Sequence, residues 1–182
     1  MLLPEFLEEL FYVKKVNLFE SPFSVGLIQR IDPNFKNYLK KVHDYSFLNL
    51  QKWLIKLDSY YTIQELKNLK QLNLSHDELK TIPTLNLPNL QSLNLNDNQL
   101  TSIQNLNLPN LQYLYLNNNQ LTELHNLNLP KLQTLLLDNN RLKEISTLSL
   151  PNLLRLYIWN NQLTNKSIGY LRSLNIQYLY LH

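Results

Sequence analysis

The 182-residue chain carries 17 lysines and arginines against 14 aspartates and glutamates, a net charge of +3, and is 44% hydrophobic and 17% charged. That balance suits a folded core and excludes a disordered chain. Cysteine is absent, which removes a disulfide framework, a thiol nucleophile and cysteine-ligated zinc together. Up to Asn68 there are 9 basic and 8 acidic residues, and beyond it 8 and 6, so neither half presents the basic block that nucleic acid requires. There is no alanine, glycine occurs twice, and 13 lysines stand against 4 arginines. Residues with AT-rich codons dominate, which points to an AT-rich bacterial genome.

The N-terminal stretch Met1–Leu10 has no basic leader, and Pro4, Glu5, Glu8 and Glu9 interrupt its apolar run. It reads as an amphipathic helix over Pro4–Lys15 and not as a cleavable secretory signal. A second helix is expected over Asn34–Val42, with a turn around Ser21, Pro22 and Gly26 between the two. Together, residues 1–49 are expected to form a helical N-terminal cap over the first strand of the C-terminal region. The run Leu3-Pro4-Glu5-Phe6-Leu7-Glu8-Glu9-Leu10-Phe11 resembles the opening of an F-box, with its leucine-to-Leu10-Phe11 spacing one residue short. That resemblance implies an alternative role as an adaptor that links a bound target to a ubiquitin-ligase subunit. No segment approaches the roughly 18 apolar residues of a spanning helix, so no membrane association is expected.

From Leu69 the sequence repeats with a period of 21. Leu69, Leu90, Leu111, Leu132 and Leu153 open five copies of L-x-x-L-x-(L/I)-x-x-(N/D)-x-L. Four copies close with L-x-L-P, ending at Pro88, Pro109, Pro130 and Pro151. A degenerate earlier copy is expected at Leu50, Trp53, Ile55, Asp58, Tyr60 and Ile63, and a last, incomplete one at Ile176, Leu179 and Leu181. Its predecessor is two residues longer, with a short helix expected around Asn165–Leu174 and Asn165 as its cap.

L-x-L alternation describes a short strand buried on one face. A unit of this size cannot bury its own apolar side, so identical units must stack. The second L-x-L predicts an extended return leg stopped by proline. The ninth place reads Asp58, Asp77, Asn98, Asn119, Asn140 and Asn161. An amide there can donate to and accept from the backbone of neighbouring turns. Aspartate only accepts, so the first turns are expected to be less regular.

These motifs resemble the leucine-rich-repeat family, over residues 50–182. The resemblance implies a right-handed solenoid arc of about seven repeats, with one parallel β-sheet on the concave face and an extended convex side. The short period, the missing cysteines and the composition resemble, within that family, the effectors of Legionella-type intracellular bacteria. That implies a chain made in the bacterial cytoplasm and exported to the host cytoplasm without a cleavable signal peptide, acting on a host protein.

No phosphate loop, dinucleotide fingerprint or G-x-S-x-G elbow can be built around Gly26 and Gly169. His43, His76, His125 and His182 show no ligand spacing, so neither metal nor cofactor is expected. His76 and Asp97 share the eighth place of adjacent repeats and read as a surface charge pair. No enzyme is expected.

In the family the third, fifth, seventh and eighth places face the concave side. The third reads Lys52, Gln71, Ser92, Tyr113, Thr134, Arg155, Tyr178, and the fifth Leu54, Asn73, Asn94, Tyr115, Leu136, Tyr157, Tyr180. The seventh reads Lys56, Ser75, Asn96, Asn117, Asp138, Trp159, His182. From Tyr113 onward this surface turns aromatic. Tyr113, Tyr115, Leu136, Arg155, Tyr157, Trp159, Tyr178 and Tyr180 are therefore the candidate protein-binding residues. A single-stranded nucleic acid would need a basic groove beside the aromatics, and Arg155 is the only fixed cation among them. The last copy leaves a strand edge and the apolar Leu163 and Ile168 facing water, which predicts self-association through the C-terminal turns.

Overall fold

The computed structural model describes residues 45–57, 59–104, 106–124, 127–145, 148 and 150–181. The helices expected at Pro4–Lys15 and Asn34–Val42, and the F-box-like run Leu3–Phe11, lie outside the described residues. Two compact units divide at Leu66 and Lys67.

In the first unit, helix α1 spans Tyr45–Ile55, and α2 (Ile63–Asn68) begins before the boundary. This corrects the repeat copy expected at Leu50–Ile63: Lys52, Leu54 and Lys56 lie on or just past a helix, not on a sheet. The physical reason is visible in the spacing. Leu50 and Leu54, both buried, are four residues apart and so share one helical face. Leu50, Trp53 and Ile55 met the apolar places of the repeat by coincidence, with Asp58 at the ninth. Thr62 opens α2 with a reciprocal cap. Its hydroxyl accepts from the Glu65 backbone N–H (3.1 Å) while its own N–H donates to the Glu65 carboxylate (2.7 Å).

The second unit is the solenoid. Its main sheet holds six parallel strands, where about seven were expected: β1 (Gln71–Asn73), β3 (Ser92–Asn94), β5 (Tyr113–Tyr115), β6 (Thr134–Leu136), β7 (Arg155–Tyr157) and β8 (Tyr178–Tyr180). On the return leg β2 (Leu85–Asn86) pairs in parallel with β4 (Leu106–Asn107), so the second L-x-L is extended as expected. Among the described residues a parallel bridge, Glu123 to Glu144, continues that side.

Each strand is too short to stand alone, and stacking supplies its core. The central leucines Leu72, Leu93, Leu114, Leu135 and Leu156 pair in register and are buried. Leu74, Leu95, Leu116, Leu137 and Ile158 form a second buried column. The prolines do more than end a strand. In each of four turns the residue before proline accepts from the N–H three residues on: Leu87 from Leu90, Leu108 from Leu111, Leu129 from Leu132 and Leu150 from Leu153, all at 3.1 Å. Proline at the second position of such a turn fixes the φ that the reversal needs. It therefore steers the chain back into the sheet.

The ninth-place asparagines hold the turns together. Asn119 Oδ1 accepts from the Leu100 N–H (3.0 Å), and its Nδ2 donates to the carbonyls of Leu95 (2.9 Å) and Leu116 (3.1 Å). Asn98, Asn140 and Asn161 repeat this pattern on their own neighbours. Asp77, the one described aspartate at this place, is exposed. Its turn is also the irregular one, with both His76 and Glu78 at positive φ.

In the other turns only the eighth place is left-handed: Asp97, Asn118, Asn139 and Asn160 have φ of 51–56°. Asn and Asp tolerate that region best among residues with a side chain. Their amides form a second, exposed ladder, Asn160 donating to Asn139, Asn139 to Asn118 and Asn118 to Asp97 at 2.6–2.8 Å.

The longer copy contains helix α3, Asn165–Ser173, as expected. Its cap is Thr164 rather than Asn165: the extended Thr164 accepts from the Ser167 N–H (3.3 Å). The two extra residues are absorbed here, and Arg155 still pairs with Tyr178. Leu163 and Ile168, expected to face water, are half-buried.

Candidate protein-binding surface

Strand pairing places every candidate residue except Trp159, which lies two residues past β7. Gln71, Ser92, Tyr113, Thr134, Arg155 and Tyr178 form one continuous column across the sheet, and Asn73, Asn94, Tyr115, Leu136, Tyr157 and Tyr180 form the next. Both columns alternate with the buried leucines and so lie on the outer face. Adjacent members are about 4.8 Å apart at the backbone. The change from small amides to aromatics falls between β3 and β5.

Tyr113, Trp159, Tyr178 and Tyr180 are 36–42% exposed, while Tyr115, Leu136 and Tyr157 are half-buried. Two contacts hold the C-terminal end. The Tyr157 and Tyr180 rings stack with centroids 4.3 Å apart and planes at 12°. The Arg155 guanidinium lies over the Tyr178 ring, 5.2 Å from its centroid, in cation–π geometry. Loss of water around the ring, and then the Tyr180 hydroxyl, push the Tyr157 phenol above its usual range. Rings locked by stacking lose little further freedom when a partner covers them, which favours them as contact residues.

Strand β6 departs from its neighbours. Thr134, expected on the exposed face, is buried between Tyr113 and Arg155. Leu136 stands between the two larger rings of Tyr115 and Tyr157. Small residues flanked by large ones make a trough along β6. At its end is Asp138, also buried. Burial pushes its carboxyl up, and hydrogen bonding to its own backbone N–H offsets part of that. Asp138 and its neighbour Asn117 were not among the expected contact residues. The available signal was a lone aspartate in a column otherwise reading Ser75, Asn96, Asn117, Trp159.

Elsewhere the surface offers little chemistry. His76 Nε2 lies 3.5 Å from Asp97 Oδ2, the eighth-place pair expected from the spacing. The nearby Ser75 hydroxyl donates to Asn73 Oδ1 (2.9 Å). Among the described residues no three His, Asp or Glu gather as metal ligands, and no helix is long and apolar enough to cross a membrane. A hollow of about 340 Å³ lined by Leu148, Leu150, Pro151, Leu153, Leu174, Asn175 and Ile176 has mostly aliphatic side chains around it and no titratable side chain.

A family model for leucine-rich repeats, in two copies, matches residues 88–129. That stretch runs from the Pro88 turn through β3, β4 and β5. The same 21-residue period and parallel pairing continue on both sides of it, in the copies that open at Leu69, Leu132 and Leu153. Such repeats commonly mediate protein–protein interaction and are typically scaffolds without catalysis. No curated protein matches the chain.

Proposed function

We propose that the sheet face from β5 to β8, the concave face of the repeat arc, binds a partner protein. The observation that carries this reading is that Tyr113 and Tyr115 on β5, Tyr157 on β7, Tyr178 and Tyr180 on β8, and Trp159 just past β7 share one face of the sheet. Single exposed aromatics are ordinary, but a contiguous patch of this kind on a monomer marks an interaction site. Tyr, Trp and Arg are also the residues that dominate binding energy at interfaces. Polar β1 and β3 carry no such groups and serve as the internal control.

The composition supports a bacterial origin, and with it a role as an effector acting on a host protein. The test is a capture experiment from host-cell lysate with purified wild type. Tyr157→Ala and Trp159→Ala should each weaken binding of the captured partner by about 2 kcal/mol, some thirtyfold. Asn73→Ala and Asn94→Ala should change it less than threefold. Equal losses at both ends of the sheet would refute the assignment.

A further inference from the structure

The trough on β6 ends in a defect of the hydrogen-bond pattern. In the preceding turn Asn96 Oδ1 accepts from the Asn117 N–H at 3.1 Å. The equivalent bond, from Asp138 N–H to Asn117 Oδ1, does not form. Asn117 Oδ1 is left buried with no hydrogen-bond partner. Two acceptors, an amide oxygen without a donor and a desolvated carboxylate, thus sit on adjacent turns two residues past β5 and β6, where the backbones run about 4.8 Å apart. Both arrangements cost the free protein stability. Trp159 follows Asp138 in the same column, one strand further on. The exposed cation of this face, Arg155, is four positions away along the strand, about 13 Å, and is engaged with Tyr178. It does not neutralise Asp138.

A carboxylate and a second acceptor beside an aromatic ring, at the end of an apolar channel, match a cation on an aliphatic stem. We propose that this trough receives a lysine or arginine side chain of the partner. Its stem lies over Leu136 between Tyr115 and Tyr157, and its head is held by Asp138, Asn117 and Trp159. Asn117 as a residue is only half-buried, so rotation of its amide turns Oδ1 toward the incoming donor. The assignment rests on the aromatic face being the binding surface and adds the chemistry of the side chain it selects.

Small probes test the pocket without the partner. The indole N–H resonance of Trp159, assigned by its loss in Trp159→Phe, is followed while n-butylammonium, n-butylguanidinium, n-pentanol or butyrate is added. The two cations should shift it saturably, at least tenfold more tightly than the alcohol, and butyrate should not bind. In Asp138→Asn, which keeps the volume and removes the charge, cation and alcohol should become equal. Equal binding of cation and alcohol to wild type would overturn the proposal while leaving the aromatic face as a binding surface. So would a cation preference that survives in Asp138→Asn, or no shift with any probe. The wild-type comparison decides the matter even if the variant does not fold. The aromatic-face reading is judged separately, by the capture experiment with Tyr157→Ala and Trp159→Ala.

Discussion

Asn119 makes its contribution through geometry that no other side chain of its size reproduces. Its amide accepts from Leu100 N–H and donates to two carbonyls, one on its own turn and one on the turn before. The carbonyls keep other partners if it is lost: Leu95 retains Asn98, and Leu116 retains Asn140. The Leu100 N–H does not. Asn119→Leu should therefore destabilise by about 1–3 kcal/mol, the cost of one buried donor left unpaired. Chemical denaturation should show a lower midpoint at unchanged slope. Asp77→Asn, at the exposed end of the same column, should be neutral within about 0.5 kcal/mol. Asp138 makes the opposite case. Burial raises its carboxyl above the unfolded value, so the folded state holds the proton more tightly than the unfolded chain does. The penalty is therefore present at neutral pH and relieved as pH falls through the raised value. Asp138→Asn should melt later than wild type at pH 7, and the gap should close on acidification. A gap that widened at low pH would mean that the carboxylate is stabilised by its surroundings.

At the scale of elements, the period of the leucines was enough to place five strands and to align their columns, because burial on one face of a strand leaves its mark at every second residue. The eighth-place asparagines were legible as a repeat but not as left-handed residues, since an amide at a turn serves several ends. Helix α1 was misread because Leu50, Trp53 and Ile55 fit the apolar places of the repeat, while the buried Leu50 and Leu54 share a helix face. The aromatic face was legible from its columns. The defect beside Asp138 was not, because the residue types in a column do not say which amide oxygen goes without a donor. Helix α3 was expected, yet its tie to the preceding turn was not. The buried Ser167 hydroxyl accepts from Ile145 N–H (2.9 Å), donates to Lys143 carbonyl (3.2 Å) and lies 3.0 Å from the Thr164 hydroxyl. It takes the bridging role that an amide fills elsewhere. Ser167→Ala should cost about 1–3 kcal/mol by stranding the Ile145 N–H. Hydrogen exchange should then quicken at Ile145 and leave β1 and β3 as they were.

Across the whole solenoid, stability is a sum over neighbours, so protection should follow how well each turn is covered. The central leucines from Leu72 to Leu156 are buried, but Leu179 of β8 is half-exposed. Strand β8 is joined to the sheet through β7, with Ile158 N–H donating to Tyr180 and Tyr178 N–H to Leu154, both at 2.9 Å. These bonds lie under thinner cover than those of β5 and β6. Amides of β8 should exchange well before those of β5 and β6 in dilute protein, since local opening governs exchange where buried contacts are few. Two of the binding-face tyrosines, Tyr178 and Tyr180, lie on this least protected strand, so part of the surface becomes firm only when something covers it. A bound partner should therefore slow exchange at Tyr178–Tyr180 more than at β5, although β5 also lies in the footprint. The self-association expected from the sequence gives a different signature, because protection of β8 would then rise with protein concentration alone. Exchange measured across a concentration series, with Leu179→Lys as the disrupting variant, separates the two. Concentration-dependent protection lost in that variant would assign the β8 edge to a second copy. Protection that appears only with the partner would assign β8 to the binding face.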